Sequence, residues 1–388
     1  MPVRIRAICL TSRLRSLALA LALAALAALA AGPAHADVRL DQDQSFNARA
    51  WTTTAPDADG IRYIGGDFTS YKAWRTGYGG AFDATTGALD TRFPRVDGWP
   101  YAAAAVSDGS GGWFVGGTRI TSIVHYNADG STDGTFGSIS VNGDVLSLVR
   151  LGDVLLVGGG FTTIGGQSRY RVAALSTTDG SVLDWDPHAG QAVRTMAVDG
   201  GTVFLGGQMT SLGTGGTQVT RSLAGAVRIG ARTGGASGTC LDNWDDADCI
   251  TDWDPNVGGW GVKALALDAS HDRVFLSGAI TVVGGVGRNY IAAVNDTTGA
   301  LDAWDPSADS EVTGLGIVGG TLYTAGYYST IASTSRASAA AFDLSDLSLT
   351  SWNPGLGGGA DTLTVSGSTI YIGGSFTRVG SSMRNHAA

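Results

Sequence analysis

Six aspartates lie within 13 residues near the middle of the chain, at positions 242, 245, 246, 248, 252 and 254. Carboxylate oxygens at this density are the ligands that Ca²⁺ prefers. Asp242, Asp245, Asp246 and Asp248 are therefore candidate Ca²⁺ ligands, and Ca²⁺ is the one cofactor that the sequence suggests. Their spacing matches no EF-hand loop, and we favour the alternative of a solvated acidic loop.

The remaining polar residues show no catalytic pattern. His125, His188, His271 and His386 fall at unrelated points, without the spacing of a metal site. Glycine runs do not open a helix, so they do not predict a phosphate-binding loop. A repeated Asp follows tryptophan at 186, 254 and 305, where we expect it to cap a turn. We predict no catalytic and no cofactor-binding residue, and interpret the chain as no enzyme.

Residues 1–36 have the layout of a secretory signal peptide. Four arginines, at positions 4, 6, 13 and 15, precede a run of only Leu and Ala over residues 17–31, and Ala34-His35-Ala36 offers a cleavage site. The run is shorter than the ~20 residues of a membrane span, so we expect no membrane insertion after the signal is removed. Loss of four arginines changes the net charge from −9 to −13. A secreted, acidic protein is a poor partner for nucleic acid or anionic lipid.

Two cysteines remain after the signal peptide, Cys240 and Cys249, within the same stretch as the acidic cluster. An even number of cysteines in an oxidising compartment is typical of a disulfide. We therefore predict a Cys240–Cys249 bond that closes a short loop.

The sequence after the signal peptide consists of repeated units, each recognised by two marks. One mark is an apolar stretch that ends in Gly-Gly or a close variant, with its second small residue at positions 66, 117, 159, 207, 278, 326 and 374. A second mark is an aromatic residue that alternates with the first: Phe46, Phe93, Phe136, Trp185, Trp253, Trp304 and Trp352. Glycine-rich composition, with one Glu and two Lys in 388 residues, excludes a mostly helical protein.

Each unit of about 48 residues is predicted to contain four short strands. This period predicts an all-β fold, a seven-bladed β-propeller of four-stranded antiparallel blades over residues 37–388. A straight β-solenoid is the alternative. We expect the N-terminal strand, residues 37–46, to close the ring, and an insertion at about 208–250 to extend the fourth blade.

The last blade is predicted to be incomplete, because residues 383–388 align with the start of a third strand at 287–292. Either the ring closes imperfectly or the sequence is a piece of a longer protein, and we favour the second interpretation. The recurring Trp and Phe are predicted to form the repeat core, filling the seams between blades. Exposed sugar-stacking platforms are the alternative.

The repeats resemble the delta-sixty-type repeat of secreted bacterial proteins. Two segments carry the resemblance most closely, Val157 to Gly166 and Ile372 to Gly380, together with Asp184-Trp185-Asp186-Pro187. The resemblance covers nearly all of the chain after the signal peptide. It implies a β-propeller-like domain of unknown function and no catalytic residues.

Three functions remain open at this point. The first, which we favour, is a secreted non-enzymatic binding or scaffold module whose partner, an unknown protein or glycan, meets the loop faces. The second is an extracellular enzyme that acts on polysaccharide, suggested by the acidic insertion and ten Trp. The third is the repeat region of a longer cell-surface protein.

Overall fold

The computed structural model describes residues 46, 48–56, 60–68, 70–71, 74–75, 79–83, 102–118, 122–230, 238–244, 246–366 and 369–383. The predicted signal peptide, residues 37–45 of the predicted closing strand, and Phe93 lie outside the described residues. Within the described ranges, no helix is long and apolar enough to cross a membrane.

Almost all regular structure in the described residues is β-strand. The first strands are β1 (Ala50–Thr53), β2 (Ile61–Gly66), β3 (Ser70–Tyr71), β4 (Trp74–Arg75), β5 (Gly79–Asp83), β6 (Ala102–Ser107), β7 (Trp113–Gly117), β8 (Ser122–Tyr126), β9 (Ser138–Ser140), β10 (Val145–Leu151), β11 (Val154–Gly159), β12 (Thr163–Ile164), β13 (Gln167–Ser168) and β14 (Val172–Ser176). They continue as β15 (Val193–Asp199), β16 (Thr202–Gly207), β17 (Ser211–Leu212), β18 (Val219–Thr220), β19 (Ala224–Arg228), β20 (Val257–Asp268), β21 (Arg273–Val283), β22 (Val286–Gly287), β23 (Ile291–Asn295), β24 (Val312–Val318), β25 (Thr321–Gly326), β26 (Thr330–Ile331), β27 (Thr334–Ser335), β28 (Ala339–Asp343), β29 (Ala360–Ser366), β30 (Thr369–Gly374), β31 (Arg378–Val379) and β32 (Ser382–Met383). The two helical turns are a 3₁₀ turn at Gly215–Thr217 and α1 at Asp246–Cys249.

The strands form seven successive antiparallel sheets among the described residues. Their orders are β1-β2-β5, β6-β7-β8-β9, β10-β11-β14, β15-β16-β19, β20-β21-β23 with β22 also on β21, β24-β25-β28, and β29-β30. Short two-stranded hairpins such as β12-β13 connect the second and third strands of a sheet. Between β10 and β11 the chain reverses at Gly152, whose φ of 61° is a conformation that glycine adopts without steric cost.

The first strands of the seven sheets contact one another in order, β1 to β6, β10, β15, β20, β24 and β29, and β29 in turn contacts β1. Radially arranged sheets with their first strands around an axis make a β-propeller. The predicted all-β propeller is therefore confirmed, and the straight solenoid is wrong. In the described residues the ring closes directly between β1 and β29.

The fourth segment of the blade is short in several of the described sheets. A fourth strand, β9, is present in the second sheet, whereas in the third, fifth and sixth sheets the corresponding segment makes a single bridge at Leu175–Val182, Val294–Leu301 and Phe342–Leu349. The aromatic residue and Pro follow within a few residues, as Trp185 and Pro187 do after Val182. Since Pro lacks an amide donor and the indole turns into the core, the ladder ends there.

The Gly-Gly pair is required by two close approaches. At Gly159, a Cβ atom would collide with the carbonyl oxygen of Asp144, which directly precedes the first strand of the same sheet. At Gly158, a Cβ would lie 3.0 Å from Cγ1 of Val193, on the first strand of the next sheet. Gly373 stands in the same relation to Ala50, with a Cβ distance of 3.1 Å across the closure. The pair thus lets neighbouring first strands pack at van der Waals distance.

The recurring aromatic residues pack between consecutive sheets. Phe46, Phe136, Trp185 and Trp253 are at most 2% exposed, and Trp304 and Trp352 are half-buried in the same kind of cluster. Three indoles donate to a carbonyl of the next sheet or its turn: Trp185 to Arg228 at 2.9 Å, Trp253 to Asn295 at 2.9 Å, and Trp304 to Leu347 at 3.1 Å. The buried Nε1 of Trp352 has no hydrogen-bond acceptor among the described residues.

The extra residues of the fourth sheet lie mainly in one turn. The third strand of the third sheet bridges back after seven positions, from Leu175 to Val182, whereas in the fourth sheet the bridge from Val227 to Ile250 spans 23. The sulfur atoms of Cys240 and Cys249 lie 1.98 Å apart, at disulfide distance, and both residues are fully buried. They pack with Trp244 against the core that contains Trp185.

Candidate functional site

Each first strand carries a β-bulge at the same place, opposite the Gly-Gly pair of the second strand. The seven bulged residues are Trp51, Ala103, Leu146, Arg194, Lys263, Thr313 and Asp361. The extra residue in a bulge is displaced from the ladder and re-aimed. In contrast to the Gly-Gly and aromatic positions, these seven do not repeat: seven residue types occupy one structural position.

Six of the bulged residues line one cavity of about 390 Å³ together with a residue that follows a Gly-Gly pair: Trp51, Thr118, Leu146, Arg194, Lys263, Thr313 and Asp361. We call this surface the channel mouth. Its residues come from all seven sheets, because Thr118 follows β7 of the second sheet. The volume lies in the range of small-molecule sites.

Two ion pairs occupy one side of the channel mouth. Arg49 Nη2 lies 2.7 Å from Asp361 Oδ1, so the pair joins the first and last sheets. The Tyr327 hydroxyl donates to the same carboxylate and accepts from Arg49. Burial and the hydrogen bond to Asp361 raise the pKa of Tyr327 well above its ordinary value, so the phenol stays neutral and acts as a donor. The Arg49 guanidinium also lies 4.5 Å from the centre of the Trp51 ring.

The second ion pair joins the fifth and sixth sheets. Lys263 Nζ lies 2.6 Å from Glu311 Oε2. Next to it, the hydroxyl of the buried Thr313 donates to the Ala360 carbonyl at 2.8 Å, and is thereby fixed against the last sheet. Both carboxylates of this side, Glu311 and Asp361, are therefore neutralised by a cation.

The third cation of the channel mouth is Arg194, on β15 next to β20, which carries Lys263. Arg194 is exposed, and its Nη2 donates to Oε1 of Gln208 at 3.2 Å. It makes no ion pair with any described residue. The Gln208 amide in turn donates to the Trp260 carbonyl at 3.4 Å, and the Trp260 side chain is 82% exposed.

Within the described residues, the candidate Ca²⁺ ligands do not come together into a metal site. Asp245 lies outside them, and Asp242 accepts a hydrogen bond of 2.8 Å from the Thr239 hydroxyl. No group of three or more His, Cys, Asp or Glu side chains in the described ranges is arranged to hold a metal ion.

The aspartate that follows the recurring Trp has a local role. Asp254 accepts from the amide of Asn256 at 3.0 Å, and Asp305 from the amide of Ser307 at 3.1 Å. A carboxylate bonded to the amide two residues on forms an Asx turn, as the sequence suggested.

Sequence reasoning missed the bulged residues altogether. The apolar and polar residues from Val193 to Val198 alternate as in a plain half-buried strand, and this pattern does not show the bulge at Arg194. Aligning the first strands on their Gly-Gly partners would have exposed the signal, since this one position changes from Leu146 to Lys263 while its flanks stay small or apolar.

Comparisons with known proteins show the fold alone. No protein-family model matches the chain, and no curated protein matches it. The WD40 β-propeller domain of Doa1 is similar in structure, with a TM-score of 0.55 and 13% identity over 88% of this chain and 92% of that chain. The computationally designed Ika8 protein is also similar, with a TM-score of 0.54 and 13% identity over 87% of this chain and 82% of that chain.

Proposed function

We propose that the chain is a secreted, non-enzymatic β-propeller that binds an extracellular ligand at the channel mouth. The observation that carries the proposal is the ring of bulged residues. Packing holds the Gly-Gly and aromatic positions nearly constant, whereas the six bulged residues that line the cavity are of six different types. Side chains of different types that line one concave surface are suited to recognition.

The polar groups at the channel mouth support binding rather than catalysis. A general acid or base needs a carboxyl or imidazole that can reach a substrate proton. Asp361 is held by Arg49 and Tyr327, and Glu311 is held by Lys263. These carboxylates serve to fix the cations and the phenol in place.

A plug at the channel mouth tests the proposal. Leu146 is half-buried and lines the cavity, so Leu146→Trp should fill part of it. Arg150→Trp is the matched control, because it adds the same indole to an exposed position at the other end of β10. Both variants are compared with the wild-type protein on a glycan array, after circular dichroism has confirmed that they fold.

We expect at least one glycan to bind wild-type protein and Arg150→Trp and to lose binding to Leu146→Trp. Equal binding by the plugged variant would contradict a site at the channel mouth. A folded wild-type protein that binds no glycan or extracellular protein at all would contradict the binding function.

A further inference from the structure

We infer that the channel mouth recognises an acidic sugar unit, a pyranose that bears a carboxylate, with Arg194 as the anion-binding residue and Trp260 as the stacking residue. The inference rests on the proposed function, since it names the ligand class for the same site.

The charge at the mouth is the first argument. Arg49 and Lys263 are neutralised by Asp361 and Glu311, whereas the hydrogen bond of Arg194 goes to a neutral amide. A guanidinium has five donors in a planar fork, and this geometry matches a carboxylate that accepts two parallel hydrogen bonds. The Gln208 bond uses one of these donors, so Arg194 retains donors and charge for an anionic group.

The aromatic residues are the second argument. The recurring tryptophans pack in seams, but Trp51 and Trp260 are outside that series and are 38% and 82% exposed. Trp51 lines the cavity, and Arg49 stacks on its ring, so its orientation is fixed. The C–H face of a pyranose is apolar, and covering an exposed indole with it removes apolar area from water. The Trp260 carbonyl accepts from Gln208, and the Gln208 side chain accepts from Arg194, so two hydrogen bonds link the backbone at the exposed indole to the cation at the rim of the cavity.

These two features together select the ligand class. A neutral sugar would leave the Arg194 charge unmatched, and a small inorganic anion would leave the indole uncovered. A sugar that carries its carboxylate at the edge of the ring can use both, with the apolar face on Trp260 and the carboxylate on Arg194.

The probes are oligogalacturonate, oligomannuronate and oligoglucuronate, each paired with its methyl ester. The ester keeps the ring and removes the charge. Affinities are measured by isothermal titration calorimetry for the wild-type protein, Arg194→Gln, Trp260→Ala and Arg150→Gln. The last variant is the matched control, because it removes the same charge from an exposed position at the far end of β10.

We expect at least one acid to bind at least about tenfold more tightly than its ester, the usual weight of hydrogen bonds to a charged group. Arg194→Gln should abolish that preference and leave ester binding unchanged. Trp260→Ala should weaken acid and ester alike, and Arg150→Gln should change neither.

Equal binding of acid and ester, an acid preference that survives Arg194→Gln, or no binding of any uronate overturns the inference. If another ligand binds and is lost in Leu146→Trp, the proposed function stands while the acidic-sugar inference fails. The two failures are thus distinguishable.

Discussion

The hydroxyl of Thr364 donates a hydrogen bond of 2.7 Å to the backbone carbonyl of Thr53, although 311 residues separate them in the chain. Thr53 is on β1 and Thr364 on β29, so the bond joins the first and last sheets. Together with the Arg49–Asp361 pair, it holds the ring closed.

Thr364→Val should destabilise the closure. Valine keeps the shape of threonine and removes the donor, so we expect a loss of about 0.5–1.5 kcal/mol in the free energy of unfolding, measured by urea denaturation. Thr364→Ser retains the hydroxyl and should keep the hydrogen bond. A Thr364→Val protein as stable as the wild type would show that the bond contributes nothing.

The tryptophans of two seams should respond differently to replacement by phenylalanine. Trp253 donates to the Asn295 carbonyl at 2.9 Å, whereas the buried Nε1 of Trp352 has no acceptor among the described residues. Both variants lose ring area, but only Trp253→Phe also loses a hydrogen bond. We expect Trp253→Phe to be more destabilising by about 1 kcal/mol in chemical denaturation. A larger cost for Trp352→Phe would contradict the assignment.

Acid should weaken the second sheet through His125 and its two aspartates. His125 is stacked on Phe114 and lies 3.1 Å from Asp108 and 2.9 Å from Asp133. Burial alone would raise the pKa of Asp108, but hydrogen bonds from Ser110, Gly112 and His125 outweigh it and lower the pKa. The bonds from His125 and the Thr135 amide likewise lower the pKa of Asp133.

A carboxyl with a lowered folded-state pKa contributes stability above its unfolded value of about 3.9 and loses it as pH falls through the folded pKa. We therefore expect the melting temperature to fall steeply below about pH 4. Asp108→Asn should be less stable at pH 7 and show a shallower acid loss, whereas the exposed Asp199→Asn should follow the wild-type curve. Parallel acid profiles for wild type and Asp108→Asn would contradict this account.

The insertion of the fourth sheet should depend on its disulfide. A loop with a sequence separation of nine residues is expected to contribute roughly 2–3 kcal/mol by restricting the unfolded chain. Replacing both cysteines by alanine should lower the free energy of unfolding by about that amount. Thiol titration under denaturing conditions should find no free thiol at positions 240 and 249 before reduction and two after it. Free thiols in the folded, unreduced protein would contradict the bond.

The architecture could be predicted from the sequence repeat, because the residues that recur in the sequence are those that make recurring packing contacts. Gly159 and Trp185 report directly on a close strand approach and a seam, so their spacing predicted sheets around an axis. The sequence did not show how short the fourth segment of the third sheet is, since Pro187 follows too soon for the ladder to continue beyond Val182.

The channel mouth could not be found in the same way. A bulge shifts the strand register by one residue, and an alternation pattern does not show where that shift occurs. Arg194 and Asp361 also lie far apart in the chain, and only closure of the ring brings them to one cavity. The density of aspartates around Asp242 suggested a Ca²⁺ site instead. Within the described residues, these side chains do not form a group that could hold a metal ion.

The residues that recur in every sheet, the Gly-Gly pairs and the aromatic residues, pack the sheets together, whereas the bulged residues line the cavity. A substitution at Leu146 alters the cavity surface and removes neither of the ion pairs that join neighbouring sheets there. Ligand specificity can therefore change, in evolution or by design, at one sheet at a time while the propeller architecture stays the same. The order in which the six bulged side chains follow one another around the cavity then determines which ligand fits.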